Sequence, residues 1–363
     1  MRRGGNLSPV MVLACEPRPF LTYHAPVSMP PRLRRPRTVA LLIVVATICV
    51  VASLGTRAAP GATVQAGAAA APTGGDLSRP PWYAMRLARR SVEFFAGPAP
   101  TSPPKVNAAA GILVDIDANS ILWQHNAHSR LPPASTTKIL TALVSLANFS
   151  PSLEVTITPA DVHLAWDETR MGLVAGQTLS VRELLTGMLL VSGNDAATAI
   201  AGDTVGLERF VGAMNAQVAA LGLHNSHFTT PVGLQDPAQY SSAYDLAVIS
   251  TTAVRQFPDF RAIVASSTAD LAAAPGHPEF SLHSINALLA MYPAAVGIKP
   301  GWTGDAGYCE VGMAVRDGHR LISVLLNAPY SFSQSRRLLD WGFVQEGLPS
   351  TLPTPTATPI PHG

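Results

Sequence analysis

Two hairpin patterns stand at opposite ends of a long helical stretch, and few folds accommodate that arrangement. Near the first end, the apolar runs Ala110–Ile116 and Ile121–His125 flank the turn-forming residues Asp117-Ala118-Asn119-Ser120. Far downstream, Tyr308–Arg316 and Arg320–Leu326 flank Asp317-Gly318-His319. Between them, apolar residues recur with helical spacing over Lys138–Asn148, Val181–Val191 and Leu207–Leu221, and a last helix is expected over about Ser333–Phe343. The hairpins can bury their apolar faces by joining in one antiparallel sheet. The pattern therefore predicts a sheet with strands from both ends of the chain, one face covered by the middle helices, which also form a subdomain.

The flanks read differently. Arg32, Arg34, Arg35 and Arg37 precede an uncharged apolar run from Val39 to Leu54, as in an export signal whose basic end stays in the cytoplasm. The run is long for a cleaved signal and short for a spanning helix, which usually needs about 20 residues. Either a secreted form or a membrane anchor through residues 39–54 is open, and Met29 is an alternative start. In both cases the folded part is expected outside the cytoplasm. Residues 1–57 carry eight arginines against Glu16 alone, so the net charge of +2 conceals a remainder with a balance of −5. Such a remainder, without basic runs among aromatics, is a poor nucleic-acid binder. Residues 58–105, rich in Ala, Gly and Pro, read as a linker, within which Trp82–Phe95 could form a short helix. Residues 106–346 form the expected folded domain, and the Pro/Thr tract within 347–363 is expected to be disordered. Cys309 is alone in the exported part, so it has no internal disulfide partner, and no metal-ligand spacing occurs.

Three short motifs carry chemistry. In Ser135-Thr136-Thr137-Lys138, residues three apart share a helix face, so the Ser135 hydroxyl and the Lys138 amine can meet. A serine hydroxyl is a weak nucleophile until a base takes its proton, and a lysine among apolar neighbours gives up its charge more readily. A helix starting there also aims backbone N–H groups at a developing oxyanion. Alone, the motif equally describes an N-cap serine followed by a surface lysine. In Ser192-Gly193-Asn194, a hydroxyl can relay a proton and an amide can hold a carbonyl, although a helix stop uses similar residues. Lys299-Pro300-Gly301-Trp302-Thr303 can lie extended along a peptide and pair with its backbone, or simply turn.

In the order S-x-x-K, S-x-N, K-x-G, the three match the signature of penicillin-recognising serine enzymes. From about Ala108 to Phe343 the chain resembles the low-molecular-mass D-alanyl-D-alanine carboxypeptidases, through Pro133–Lys138, Leu190–Ala197, Met214-Asn215, Leu221–Leu223, His227-Phe228, Ser242–Ala247 and Ala306–Cys309. The resemblance implies an α+β fold of the serine β-lactamase/transpeptidase type, an antiparallel sheet flanked by helices with a helical subdomain. It places Ser135 at the start of a buried helix, in a cleft between sheet and subdomain. It implies that Ser135 is acylated by the D-Ala-D-Ala end of peptidoglycan stem peptides, that D-alanine leaves and that water releases the shortened peptide, with β-lactam antibiotics as inhibitors. Lys138 is then the general base, Ser192 and Lys299 complete the proton network, and Asn194 positions substrate. The backbone N–H groups of Ser135 and Trp302 become the oxyanion donors, and Thr303 and Arg320 stand near the substrate carboxylate. No cofactor or metal is implied.

The chain departs from the family at Pro300, where a threonine hydroxyl usually binds the substrate's terminal carboxylate. Proline removes that hydroxyl and one N–H. The loss of one charge-assisted hydrogen bond costs about 1.5–3 kcal/mol, roughly ten- to a hundredfold in binding. The expectation is an active enzyme with weakened carboxylate recognition. Two alternatives stay open: a D,D-endopeptidase acting on cross-links, and a non-catalytic binder of cell-wall peptides. A β-lactamase is disfavoured because no E-x-x-L-N segment supplies a deacylating glutamate.

Overall fold

The computed structural model describes residues 86–88, 92–97 and 102–352. The apolar run Val39–Leu54, most of 58–105 and the tail beyond 352 lie outside the described residues. Among the described residues, no helix is long and apolar enough to cross a membrane.

Strand β1 (Phe95–Ala96) precedes the first hairpin, β2 (Ala110–Asp115) and β3 (Ser120–His125). A 3-10 turn over Ala134–Thr137 runs into α1 (Lys138–Asn148). Then come β4 (Glu154–Thr156), β5 (Thr178–Ser180), α2 (Val181–Leu190), α3 (Asn194–Thr204), α4 (Leu207–Ala220), α5 (Ala243–Gln256) and α6 (Pro258–Val264). The chain closes with β6 (Thr268–Leu271), β7 (Phe280–His283), the single turn α7 (Leu288–Met291), β8 (Ala295–Thr303), β9 (Gly307–Arg316), β10 (His319–Leu326) and α8 (Ser331–Gln345).

The two hairpins meet as the sequence predicts. The sheet order is β1-β3-β2-β10-β9-β8, with β2 and β10 antiparallel from Ala110↔Leu326 to Asp115↔Leu321. All pairs are antiparallel except β1 with β3. Strand β2 is buried along its whole length because both faces are covered. Ile112, Val114, Ile322 and Val324 point to the helical subdomain and join the core containing Ile139 and Leu246. Leu113, Leu321 and Leu325 point the other way, onto Leu338, Leu339 and Phe343 of α8. The fold is α+β, of the serine β-lactamase/transpeptidase type.

Both flanks of the domain differ from expectation. No helix is present where 82–95 is described: Phe95 and Ala96 form β1, parallel to Ser120 and Ile121. The described residues 86–88 and 92–97 also do not behave as a free linker. Ala88, Val92 and Phe94 are buried, and the Gln217 side chain both accepts from Ala88 N (2.7 Å) and donates to Ala88 O (3.0 Å). A few apolar anchors with satisfied backbone suffice to dock an extended segment whose composition reads as linker. At the other end, the Asp340 carboxylate accepts from Thr351 N (2.9 Å), Thr351 Oγ1 (2.6 Å) and Ser350 Oγ (2.5 Å), so the chain through Leu352 is tied to α8.

Candidate active site

The 3-10 turn presents Ser135 half-buried at the start of α1. Its predecessor Ala134 has φ 48°, a left-handed conformation that is unfavourable for a residue with a side chain. Tight packing holds it there: a Cβ built on Gly233 would fall 2.0 Å from Ala134 O. One turn later Lys138 is fully buried, and its Nζ lies 3.0 Å from Ser135 Oγ, 2.7 Å from Asn194 Oδ1 and 2.9 Å from Val232 O. Burial, aided by the nearby Lys299 charge and opposed by Glu168 and Asp195, holds the Lys138 amine well below the usual lysine range. Two of its three partners are carbonyl oxygens that only accept. A neutral Lys138 therefore spends both N–H donors on them and turns its lone pair to the Ser135 hydroxyl.

Asn194 opens α3, and its Nδ2 donates to Glu168 Oε2 (2.6 Å). The turn before it is locked to the loop 169–173. Thr169 Oγ1 donates to Ser192 O (2.7 Å), and Asn194 N donates to Thr169 O (2.9 Å). The Asp195 carboxylate collects the N–H groups of Met171 (2.8 Å), Gly172 (2.9 Å) and Leu173 (3.1 Å). Ser192 is buried and left-handed (φ 64°), two residues from the Asn194 amide that meets Lys138.

Strand β8 forms the sheet edge on this side. Its Gly301 passes so close to the 3-10 turn that an added Cβ would stand 2.7 Å from Ser135 N. Lys299, on the same face as Gly301, is fully buried; its Nζ donates to Pro300 O (3.2 Å), and burial lowers it to about 7. Pro300 is opposite Glu310 of β9, on the other face. A proline fits this paired strand because its nitrogen can turn to the free edge. The N–H of Trp302, two residues on, shares that outward direction. Thr303 lines a cavity of about 440 Å³ with Arg130, Pro133, Gly233, Gln235 and Asp305. Trp302 and Tyr308 form an exposed aromatic pair with ring centroids 6.4 Å apart.

Ser135, Lys138 and Asn194 thus share one hydrogen-bonded cluster. Ser192 stands two residues before Asn194 in the same locked turn, Lys299 is close enough to act on Lys138, and β8, which passes the turn at Gly301, carries Trp302 and Thr303. Arg320 does not join them. It is the second residue of β10, opposite Val315, seven residues along β9 from Tyr308, which is about 23 Å away at roughly 3.3 Å per residue. There its guanidinium pairs with Asp117 across the Asp117–Ser120 turn, Nε lying 3.0 Å from Oδ1 and 3.2 Å from Oδ2. The motif around Arg320 specifies a strand without specifying which end of it faces the nucleophile.

Sequence reasoning passed over Glu168, Asp195, Val232 O and Gly233, which fix the cluster. It also passed over Arg130, a cation lining the cavity, whose guanidinium stacks 4.9 Å over the Tyr240 ring and donates to His224 O (2.9 Å). Only Asp195, an acid in the first turn of α3, carried a local signal.

A family model described as D-alanyl-D-alanine carboxypeptidase, peptidase S11, matches residues 98–330. The D-alanyl-D-alanine carboxypeptidase DacB2 of Mycobacterium tuberculosis is 36% identical over 254 residues, covering 68% of this chain and 84% of that protein. The D-alanyl-D-alanine carboxypeptidase DacF of Bacillus subtilis is 31% identical over 254 residues, covering 68% of this chain and 64% of that longer protein. Among solved structures, the Streptomyces K15 DD-transpeptidase superposes with a TM-score of 0.63 at 30% identity, covering 67% of this chain and all of that one.

Proposed function

The chain belongs to the D-alanyl-D-alanine carboxypeptidase family of serine peptidases, and from that premise we propose that it removes the terminal D-alanine from peptidoglycan stem peptides through an acyl-enzyme on Ser135. The observation that carries this reading is the buried Lys138 Nζ, 3.0 Å from Ser135 Oγ with two pure acceptors as its other partners.

Ser135 Oγ attacks the carbonyl of the penultimate D-alanine as its proton passes to the Lys138 lone pair. The N–H of Ser135, at the turn start, and that of Trp302, at the free edge of β8, stabilise the oxyanion. As the tetrahedral species collapses, Ser192 and Lys299 convey a proton to the leaving D-alanine amine, and Asn194 holds the substrate amide. Water then attacks the acyl-enzyme, with Lys138 again taking the proton. The substrate carboxylate falls to Lys299, to Thr303 and to the edge of β8, where Pro300 offers no N–H. Arg320 is too remote to contribute. β-Lactams act as inhibitors because they acylate the same hydroxyl.

The open edge of β8, rimmed by the exposed Trp302 and Tyr308, also suits a branched peptide, which favours D,D-endopeptidase activity on cross-links as the second reading. We place the reaction outside the cytoplasm, with residues 39–54 as signal or membrane anchor, on the charge pattern that precedes them. The deciding measurement is D-alanine release from a pentapeptide ending in D-Ala-D-Ala, with labelling by a fluorescent penicillin in parallel. Release and labelling that vanish together in Ser135→Ala support the carboxypeptidase. Release from cross-linked but not from linear peptide points to the endopeptidase, and a folded protein that neither labels nor releases points to a binder.

A further inference from the structure

At the end of the sheet far from Ser135, three side chains from separate elements converge: Asp115 at the end of β2, His319 at the start of β10 and Glu346 capping α8. His319 Nδ1 lies 3.5 Å from Asp115 Oδ2 and 3.9 Å from Glu346 Oε2, and the three candidate donor atoms all fall within 4.8 Å of one another. We propose that these residues form a structural site for a divalent transition metal, with zinc the best fit.

Zinc held at 2.0–2.2 Å by imidazole and carboxylate in a tetrahedron spaces its ligand atoms about 3.4 Å apart. Two of the observed separations are already close to that value, and a small swing of Glu346, at the end of a helix, closes the third. Asp115 is prepared for the role. Its Oδ1 accepts the N–H groups of Asp117 (2.7 Å) and Ala118 (2.9 Å), which fixes the buried carboxylate and leaves Oδ2 aimed at the imidazole. The mixed donor set of one imidazole and two carboxylates favours zinc over magnesium or calcium, which prefer oxygen alone. His319 is partly exposed, so water can take the fourth position.

The surrounding charge also admits a cation. Asp117 is occupied by Arg320, and the Arg255 guanidinium is held by Asn119 Oδ1 (2.8 Å) and the Ile116 carbonyl, close enough to feel Asp115 and Asp117. Three acidic side chains, Asp115, Asp117 and Glu346, thus stand against the two basic ones of Arg255 and Arg320. A metal there would tie the C-terminal end of α8 to the strands it covers.

The test uses full-length protein stripped with chelator, titrated with zinc chloride by calorimetry and followed by thermal melts, beside His319→Ala and Glu346→Gln. The expected result is one equivalent bound per chain, a zinc-dependent rise in Tm, and binding weakened more than about tenfold in each variant. Both variants should keep the wild-type rate of penicillin labelling, which certifies their fold independently of the metal. No saturable binding to wild type, or equal binding by His319→Ala through the chain's other histidines, would overturn the proposal.

Discussion

Gly301→Ala tests whether β8 and the 3-10 turn together form the oxyanion site. The added Cβ would stand 2.7 Å from Ser135 N, 3.1 Å from Thr136 N and 3.1 Å from the Ala134 Cβ. These are backbone atoms and a fixed methyl, so no flexible side chain can give way. Ordinary contact begins near 3.4 Å, so strand and turn must part by about 0.7 Å. That movement separates the Ser135 N–H from the Trp302 N–H, and losing one oxyanion donor costs about 10²–10³ in rate. Overpacking at one edge position should cost only about 1–3 kcal/mol of stability, leaving the domain folded. Gly304→Ala is the control, because its Cβ would meet only the end of the Gln235 side chain at 3.2 Å. The assay is the second-order rate of acylation by a fluorescent penicillin, with D-alanine release and a melting curve on the same preparations. A folded Gly301→Ala acylated within about threefold of wild type would refute the assignment, since a shift of that size in an oxyanion site should cost about a hundredfold.

Pro300→Thr should lower KM for the pentapeptide by roughly tenfold or more with kcat little changed, by restoring one donor for the carboxylate; an unchanged KM would mean that the carboxylate is held elsewhere. Lys299, lowered to about 7 by burial, should impose an alkaline limb near pH 7 on kcat/KM, and Lys299→Gln should be slower but lack that limb. The same lowered value means that the unfolded chain binds the extra proton between pH 7 and 10.5, so this lysine makes stability rise with pH across that window. Glu310 runs the other way. Burial raises its carboxyl from 4.5 to about 8, and its contribution is complete below pH 4.5 and lost as pH rises through 8. Glu310→Gln should therefore raise Tm at pH 8.5 relative to wild type, by more than at pH 5; an equal change at both would remove ionisation as the cause.

What the sequence makes legible is whatever repeats or pairs at short range. The period of Lys138–Asn148 gives α1 to the residue, and the two hairpins foretell the sheet because each is closed by its own turn. Ser135 and Lys138 are likewise readable, since a separation of three residues fixes their meeting within a single turn. The chemistry at Lys138 is set by other means. Its titration depends on burial and on Lys299, Glu168 and Asp195, none of them on α1 and none at a spacing that any local pattern encodes. Arg320 shows the converse failure: a string resembling the family's places the residue on a strand, but only the register Arg320↔Val315 reveals that it lies at the wrong end. Residues 86–88 and 92–97 show a third, since three buried apolar side chains outweigh an Ala, Gly and Pro background that reads as linker. The motifs are therefore necessary for acyl transfer without being sufficient. A chain that kept S-x-x-K, S-x-N and K-x-G but lost the packing of Gly233 on Ala134, or that of Gly301 on Ser135, would keep the residues and lose the geometry that lets a lysine act as a base.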